Sequence, residues 1–247
     1  ATQIGAMNAT DIGDITTTQI AALTSTQVTG LTSTNIGNLS ETQIATFTNT
    51  QLQAISTSNL RAFADTQIAA LTDTQVANLS ATQVGALTAT NVGALTTSQA
   101  AALTATQIGL LSSANVHALA DTQVASMNAT QIKAFTATQI AALDATDMSE
   151  FAATQIAALT TTQVGALTNT AFAALADTQV EALTTTQLTA VSAAKVGAMT
   201  ETQTAALTST QLASLSTTQV RAFTNANLSA LDSAQSAALT GAQIASL

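Results

Sequence analysis

The sequence predicts an all-α solenoid, a superhelix of very short capped helices with one helix in each eight-residue repeat. Three observations lead to this fold class. The chain repeats every eight residues, a helix-capping residue recurs at a fixed place in each repeat, and the exceptions to the consensus recur at a second, longer period. That longer period predicts about 3.4 repeats in each superhelical turn.

The octad runs through residues 1–247 without insertion or deletion. With positions labelled a to h from Thr2, position a is Thr or Ser in 26 of 31 octads and position b is Gln in 22. Position c is mostly Ile, Val or Leu, and position f is mostly Leu or Phe. No linker interrupts the series, so we expect one repeat domain over residues 1–247, taken from a longer array.

Each octad carries the signature of a helix N-terminus. Position g is Thr, Ser, Asn or Asp in 26 of its 30 occurrences, and Gln usually follows three residues later at position b. This is a capping box, in which the g side chain accepts a hydrogen bond from the third helical N–H and the Gln side chain accepts one from the N–H of the cap. Positions c and f then share one face of a helix of about six residues and form the core.

Charge placement supports one helix in each octad. Ten of the 13 acidic residues lie between the cap and the third helical position, and three of the four basic residues lie at position d, in the second half of the helix. The helix dipole favours this distribution. A single continuous helix is excluded, because the c and f pair would rotate by about 80° in each octad and leave no apolar stripe.

A parallel β-solenoid is the alternative fold. The Thr, Ile and Val content favours strands, and so does the T-x-T pattern, as at Thr24-Ser25-Thr26. However, positions c and f are three residues apart and would face opposite sides of a strand. We therefore favour helices. In the alternative fold the threonines would form a flat face, and the function would be that of a binding module, an ice-binding protein or a glycan adhesin.

A second period comes from the nine octads in which position b is not Gln. Successive members are three or four octads apart, and the eight steps from Asp11 to Asn227 cover 216 residues, or 27 residues a step. We expect these residues to share one side of the superhelix, either at a corner that Gln does not fit or, alternatively, on a line of lateral contact to a neighbouring chain. The nine are Asp11, Asn35, Asn59, Asn91, Asn115, Asp147, Ala171, Lys195 and Asn227.

Glycine recurs at position d, which holds eight of the ten glycines. A glycine inside a helix costs about 1 kcal/mol relative to alanine. We therefore expect crowding at position d by an adjacent turn.

No residue pattern points to catalysis. The chain has one histidine, His117, and no cysteine, so it offers neither a Cys-built or His-built zinc site nor the bases for a catalytic triad. Asp144, Asp147 and Glu150 form an acidic cluster, but capping explains the first two. We expect no enzyme activity, no catalytic or metal-binding residue, no cofactor and no small-molecule substrate.

The charge balance limits the class of partner. The formal net charge is −9, which disfavours a nucleic acid held by phosphate neutralisation. No run of eighteen apolar residues occurs, so we expect no membrane-spanning helix. The remaining partner is the chain itself, through lateral or end-to-end association.

The motif L-T-x-T-Q-[IV]-x-A-L, represented by residues 71–79 with Asn78 in place of its Ala, resembles the octapeptide arrays of very large secreted bacterial proteins of the surface or adhesin type. The resemblance covers the whole chain and implies an extracellular or cell-surface location. It does not imply calcium binding, because the nonapeptide G-G-x-G-x-D is missing. The leading hypothesis is a structural one: a rigid, non-catalytic extracellular fibre, stalk or filament.

Overall fold

The structure is a computed structural model that describes residues 2–247. These residues form 31 α-helices of four to six residues each, and no strand occurs among them. Every helix begins at position h of an octad or one residue later. The prediction of an all-α repeat fold is confirmed, and the β-solenoid alternative is not supported.

The chain divides into two compact units, Ala1–Met127 and Asn128–Leu247. The octads keep their register through this boundary in the sequence. One continuous repeat domain over residues 1–247 stays a prediction, and each unit is described by itself below.

The first unit contains sixteen of the helices: α1, Thr2–Gly5; α2, Ala9–Gly13; α3, Thr17–Ala21; α4, Ser25–Val28; α5, Ser33–Gly37; α6, Glu41–Thr46; α7, Asn49–Ala54; α8, Thr57–Leu60; α9, Asp65–Ala69; α10, Asp73–Asn78; α11, Ala81–Gly85; α12, Ala89–Gly93; α13, Thr97–Ala102; α14, Ala105–Gly109; α15, Ser113–His117; and α16, Asp121–Ala125. The second unit contains the other fifteen: α17, Ala129–Ala134; α18, Ala137–Ala141; α19, Ala145–Glu150; α20, Ala153–Ala158; α21, Thr161–Ala166; α22, Asn169–Ala173; α23, Asp177–Glu181; α24, Thr185–Thr189; α25, Ala193–Gly197; α26, Glu201–Ala205; α27, Ser209–Ser214; α28, Thr217–Val220; α29, Asn225–Ser229; α30, Ser233–Ala238; and α31, Gly241–Ile244.

Most of the helices begin with the predicted capping box. At α4, the Thr24 hydroxyl accepts from the N–H of Gln27 at 3.3 Å, and Oε1 of Gln27 accepts from the N–H of Thr24 at 2.8 Å. Four caps are alanines that have no side-chain acceptor, and there the Gln half of the box still forms. These caps are Ala64, Ala120, Ala152 and Ala176. The Gln half of the box therefore forms without a side-chain acceptor at the cap.

In each unit a helix packs against the helix three octads further along the chain, as α11 does against α14 and α18 against α21. Hydrogen bonds also join helices four octads apart. Gln83 in α11 donates from Nε2 to the carbonyl oxygens of Leu52 and Ile55 at the end of α7, at 2.8 and 2.9 Å. Neighbours at three and four octads place the turn between three and four repeats, in agreement with the predicted 3.4.

The core is built from positions c and f, as predicted. Ile44 and Leu52 at position c are 0% and 1% exposed, and Phe47 and Ile55 at position f are 2% and 3% exposed. Each helix is too short to be stable alone in water. Burial of two apolar side chains from most octads, each contributing about 1.5–3 kcal/mol, therefore stabilises the array through contacts between turns.

The predicted crowding at position d is confirmed at some glycines and is missing at others. A Cβ on Gly85 would lie 2.6 Å from the carbonyl oxygen of Leu110 and 3.3 Å from its Cβ, and Gly5 and Gly197 face backbone oxygens at 2.6 and 2.7 Å. Gly13 has no such neighbour within 4 Å. Close approach of the turns therefore requires glycine at particular octads only.

We expect Gly85→Ala to destabilise the chain by about 1–2 kcal/mol, because the new Cβ overlaps a backbone carbonyl that cannot rotate away. The matched substitution Gly13→Ala meets open space and is expected to stabilise by up to about 1 kcal/mol through helix propensity. Thermal unfolding of the two variants measures the difference. Equal shifts of the same sign would contradict the steric explanation.

Candidate functional site

The buried glutamines at position b connect successive turns, and we call this set the glutamine ladder. In Gln163, Oε1 accepts from the N–H of Thr160 at 2.7 Å, and Nε2 donates to the carbonyl oxygens of Ile132 and Phe135 at 2.9 and 2.7 Å. The side chain is 2% exposed. One amide therefore caps its own helix and bonds the end of the helix four octads earlier.

The same arrangement recurs through both units. Sixteen of these buried glutamines donate from Nε2 to the position-f carbonyl four octads earlier, at 2.5–2.9 Å. The residues are Gln43, Gln51, Gln67, Gln75, Gln83, Gln99, Gln107 and Gln123 in the first unit, and Gln163, Gln179, Gln187, Gln203, Gln211, Gln219, Gln235 and Gln243 in the second.

The ladder supplies hydrogen-bond donors to the carbonyl groups at the ends of these short helices. The last carbonyl groups of a helix have no partner within it, and a buried polar group without a partner costs about 1–3 kcal/mol. Sequence reasoning identified the acceptor role of Gln and missed its donor role. A signal was present, because Glu forms a capping box as well as Gln does but never occurs at position b. Only an amide both accepts and donates.

The five asparagines among the nine exceptions keep part of the ladder. Asn115, for example, donates from Nδ2 to the carbonyl oxygen of Leu87 at 2.9 Å, and Asn227 donates to that of Met199 at 3.0 Å. The equivalent bonds of the others end on Met7, Leu31 and Phe63. Because the side chain is one methylene shorter, it reaches the position-f carbonyl and leaves out the position-c carbonyl that most glutamines also bond.

The other four exceptions differ more from the ladder glutamines than the asparagines do. Asp11 is exposed and accepts from the N–H of Asn8 at 3.1 Å. Asp147 is buried and accepts from the N–H of Asp144 at 2.7 Å. Ala171 is fully buried and contributes no polar group. At Lys195, Nζ donates to the carbonyl oxygen of Gly165 at 2.5 Å.

Seven of the nine exceptions are buried, and Asn59 is half-buried. Their environment fits a corner of the turn that Gln does not occupy. The seven buried side chains offer little surface to a second chain, whereas Asp11 is exposed, and the contact line stays a prediction. Lateral contact on this side would also have to use the exposed residues beside them.

Lys195 places a cationic group inside the chain. The residue is 7% exposed, and burial lowers the pKa of its ammonium group. The folded state then binds fewer protons than the unfolded state, so stability rises with pH from the lowered pKa towards the ordinary value of 10.5. Helix α25 also lacks the second half of the capping box that glutamine supplies elsewhere.

We expect Lys195→Gln to stabilise the chain by about 0.5–2 kcal/mol at neutral pH, as substitutions towards a repeat consensus commonly do. The amide restores the bond to the N–H of Ser192 and removes a buried cation. Thermal unfolding at neutral and at alkaline pH measures the effect. The gain over the original chain should shrink as the pH approaches 10.5, and a gain independent of pH would contradict the electrostatic explanation.

Shallow recesses lie beside the exceptional octads in both units. One of about 600 Å³ in the first unit is lined by Asp65, Ala89, Thr90, Gly93, Ala94 and Ala118. One of about 420 Å³ in the second unit is lined by residues at the same octad positions, Ala145, Asn169, Thr170, Ala173, Ala174 and Ala198. Short side chains line both recesses, and neither recess brings together side chains suited to catalysis.

Exposed acidic residues also lie beside the exceptional octads. Five acidic residues each lie six positions after one of the nine exceptions and begin the next helix: Glu41, Asp65, Asp121, Asp177 and Glu201. An acid at the first helical position is favoured by the helix dipole. In each unit the exposed surface beside the exceptional octads is therefore acidic, which disfavours contact with an identical surface at low ionic strength.

The acidic cluster and the single histidine lie at the ends of two helices. The Asp144 side chain caps α19 by accepting from the N–H groups of Thr146 and Asp147, as predicted. Glu150 is the last residue of that helix. His117 is exposed and ends α15. Capping thus accounts for the two aspartates of the predicted acidic cluster.

No helix within residues 2–247 has the length and apolar character needed to cross a membrane. A family model described as the ALTTAQ repeat matches residues 4–41. The comparisons with curated proteins and with solved structures gave no match. The chain is therefore a tandem-repeat protein that is similar to the ALTTAQ repeat over residues 4–41, with short helices stacked as a solenoid in each unit.

Proposed function

We propose that the chain is a structural repeat scaffold, a rigid and non-catalytic fibre, stalk or filament on the outside of a bacterial cell. The observation that carries this proposal is the glutamine ladder. It ties each turn to the next through buried hydrogen bonds in which every polar atom of the amide is used.

The ladder favours stiffness. A solenoid bends when neighbouring turns open, and opening here would expose donors and acceptors together with the apolar residues at positions c and f. Each broken hydrogen bond costs about 0.5–1.5 kcal/mol, and the apolar area costs more. Bending at one turn is therefore opposed by several bonds at once.

The outer surface suits a structural role. Position g is exposed and engaged in capping, so the hydroxyls that recur there hold helices in place. The extracellular location is supported by the resemblance to secreted arrays and agrees with an acidic chain without cysteine. The proposed partner is a further copy of the chain, with no nucleic acid, small-molecule substrate or cofactor.

Two measurements test this function. Solution scattering and negative-stain imaging of the chain should show a stiff rod whose length does not change with ionic strength. Protease treatment of intact cells that carry the protein should release octad peptides. A flexible or collapsed particle would contradict the scaffold, and peptides protected until the cells are lysed would contradict the surface location.

A further inference from the structure

Position a carries a hydroxyl that the fold does not use. The residue is Thr or Ser in 26 of 31 octads, and position a is exposed in every octad of residues 2–247. Among these residues one position-a hydroxyl forms a hydrogen bond, that of Thr202 with Oγ1 of Thr200 at 3.0 Å. Later in a helix, the hydroxyls of Thr29 and Thr189 donate to the carbonyl oxygen three residues earlier, at 2.8 and 2.9 Å. The position-a hydroxyls face solvent instead.

The helices also form where position a has no hydroxyl. The five residues there that are neither Thr nor Ser are all alanine, and their octads form α15, α25, α29, α30 and α31. Alanine has a higher helix propensity than threonine or serine, so an exposed position in a helix favours alanine. The fold therefore does not explain the 26 hydroxyls. The alanines are Ala114, Ala194, Ala226, Ala234 and Ala242.

Position h, the residue before position a, is the natural comparison. It is exposed or half-buried and lies in the same helical turn, yet between residues 9 and 241 only 11 of its 30 residues are Thr or Ser. The helix dipole favours acidic residues in this turn, and positions g, h and b hold them, whereas position a holds none. The octads thus differ at position h and agree on a hydroxyl at position a. A requirement from outside the fold accounts for this difference.

The position-a hydroxyls are distributed around the superhelix in each unit. With three to four octads in a turn, successive octads face different sides, and most octads carry the hydroxyl. A ligand or a partner chain that docks on one side would need hydroxyls on that side alone. A group that is attached to single residues needs one in each octad. The distribution therefore favours covalent modification over docking.

We infer that the threonines and serines at position a are sites of O-glycosylation. The modifying group is a neutral sugar, because the chain already has a formal net charge of −9. A phosphate at each site would add about −1.5 to −2 charges, and the repulsion among so many phosphates would oppose the compact state. The inference goes beyond the proposed scaffold and does not depend on it.

The sugar would come from a nucleotide-activated donor through a separate transferase. The side-chain oxygen of Thr or Ser forms a bond to the anomeric carbon, the bond from that carbon to the diphosphate breaks, and the nucleoside diphosphate leaves with the electron pair. A base of the transferase takes the hydroxyl proton. The chain has to supply accessible hydroxyls. Thr82 on α11 and Thr106 on α14 are exposed, and the residues before them, Ala81 and Ala105, have short side chains.

Helix α21 offers a matched test, because three threonines follow one another at positions g, h and a. The hydroxyl of Thr160 caps the helix by accepting from the N–H of Gln163 at 3.2 Å. Thr161 and Thr162 are both exposed. Thr162→Ala therefore removes a proposed site, and Thr161→Ala is the control that removes an equally exposed hydroxyl from position h. Both variants of the whole chain are produced in the cells that make the protein naturally.

Mass spectrometry of the intact chain and of its peptides, with electron-transfer fragmentation to locate the sugars, gives the outcome. The original chain should be heavier than its sequence by whole hexose or N-acetylhexosamine residues, attached at position a. The octad of α21 should lose its sugar in Thr162→Ala and keep it in Thr161→Ala. A mass equal to that of the sequence, phosphate in place of sugar, or sugars spread equally over positions a and h would overturn the inference.

Two further measurements separate this inference from a structural role and from the scaffold. In chains made by cell-free synthesis, which carry no sugar, both variants should melt at the same temperature as the original. A lower melting temperature for Thr162→Ala alone would show that the hydroxyl serves the fold and would contradict the inference. Sugar-free natural chains that form stiff rods would overturn glycosylation and leave the scaffold intact, whereas flexible glycosylated chains would contradict only the scaffold.

Discussion

Replacing Gln163 by Glu is expected to destabilise the chain by about 3–5 kcal/mol at neutral pH, the cost of an uncompensated buried charge. The two side chains have nearly the same shape, and the carboxylate still accepts from the N–H of Thr160. Its second oxygen, however, replaces Nε2 at 2.9 and 2.7 Å from the carbonyl oxygens of Ile132 and Phe135. Two hydrogen bonds become two repulsive contacts in a site that is 2% exposed.

The effect should depend on pH with a definite sign. Burial and the facing carbonyls raise the pKa of the new carboxyl in the folded state above its unfolded value of about 4.3. The folded state then holds the proton more tightly, so the variant is least destabilised in acid, where the carboxyl can donate, and loses stability as the pH rises. Thermal unfolding between mildly acidic and neutral pH measures this slope.

Gln27→Glu is the matched control. Gln27 occupies the same octad position and caps Thr24, but it is exposed and its Nε2 has no partner within residues 2–247. We expect a change within about 0.5 kcal/mol. Equal losses in the two variants would show that capping, and not the bond between turns, explains the glutamine.

Much of the fold could be predicted from the octad alone. The cap at position g and the Gln at position b define the start of each helix through local hydrogen bonds, which a sequence pattern records directly. Positions c and f, one helical turn apart, indicate the buried face. The spacing of the nine exceptions predicted a turn of about 3.4 repeats, because any side of a superhelix recurs once a turn.

The contacts between turns were harder to predict. Nε2 of Gln163 bonds a carbonyl 28 residues earlier, and no local rule connects those positions. For the same reason the sequence left open whether Asn35 and Asn91 lie at a corner of the turn or on a contact line, and their side chains are 2% and 3% exposed. The polar side chain of asparagine suggested a surface position. A buried asparagine whose hydrogen bonds are all formed looks the same in the sequence.

Ile108→Asp is expected to cost more than about 4 kcal/mol and to open the chain locally to proteases, because it places a charge where the side chain is 0% exposed. Leu103→Asp, at a position that is 3% exposed, should behave in the same way. Limited proteolysis combined with a thermal melt detects both effects. Unchanged protease resistance would contradict the assignment of positions c and f to the core.

Leu110→Asp is the control that separates burial from apolar character. Leu110 lies two residues after Ile108 at position e and is 53% exposed. An acid near the end of α14 opposes the helix dipole, so we expect a loss of no more than about 1 kcal/mol. The two apolar side chains are similar in size, and the octad places one inside and the other outside. A large difference between these variants therefore tests the orientation of the repeat, because composition predicts the same loss for both.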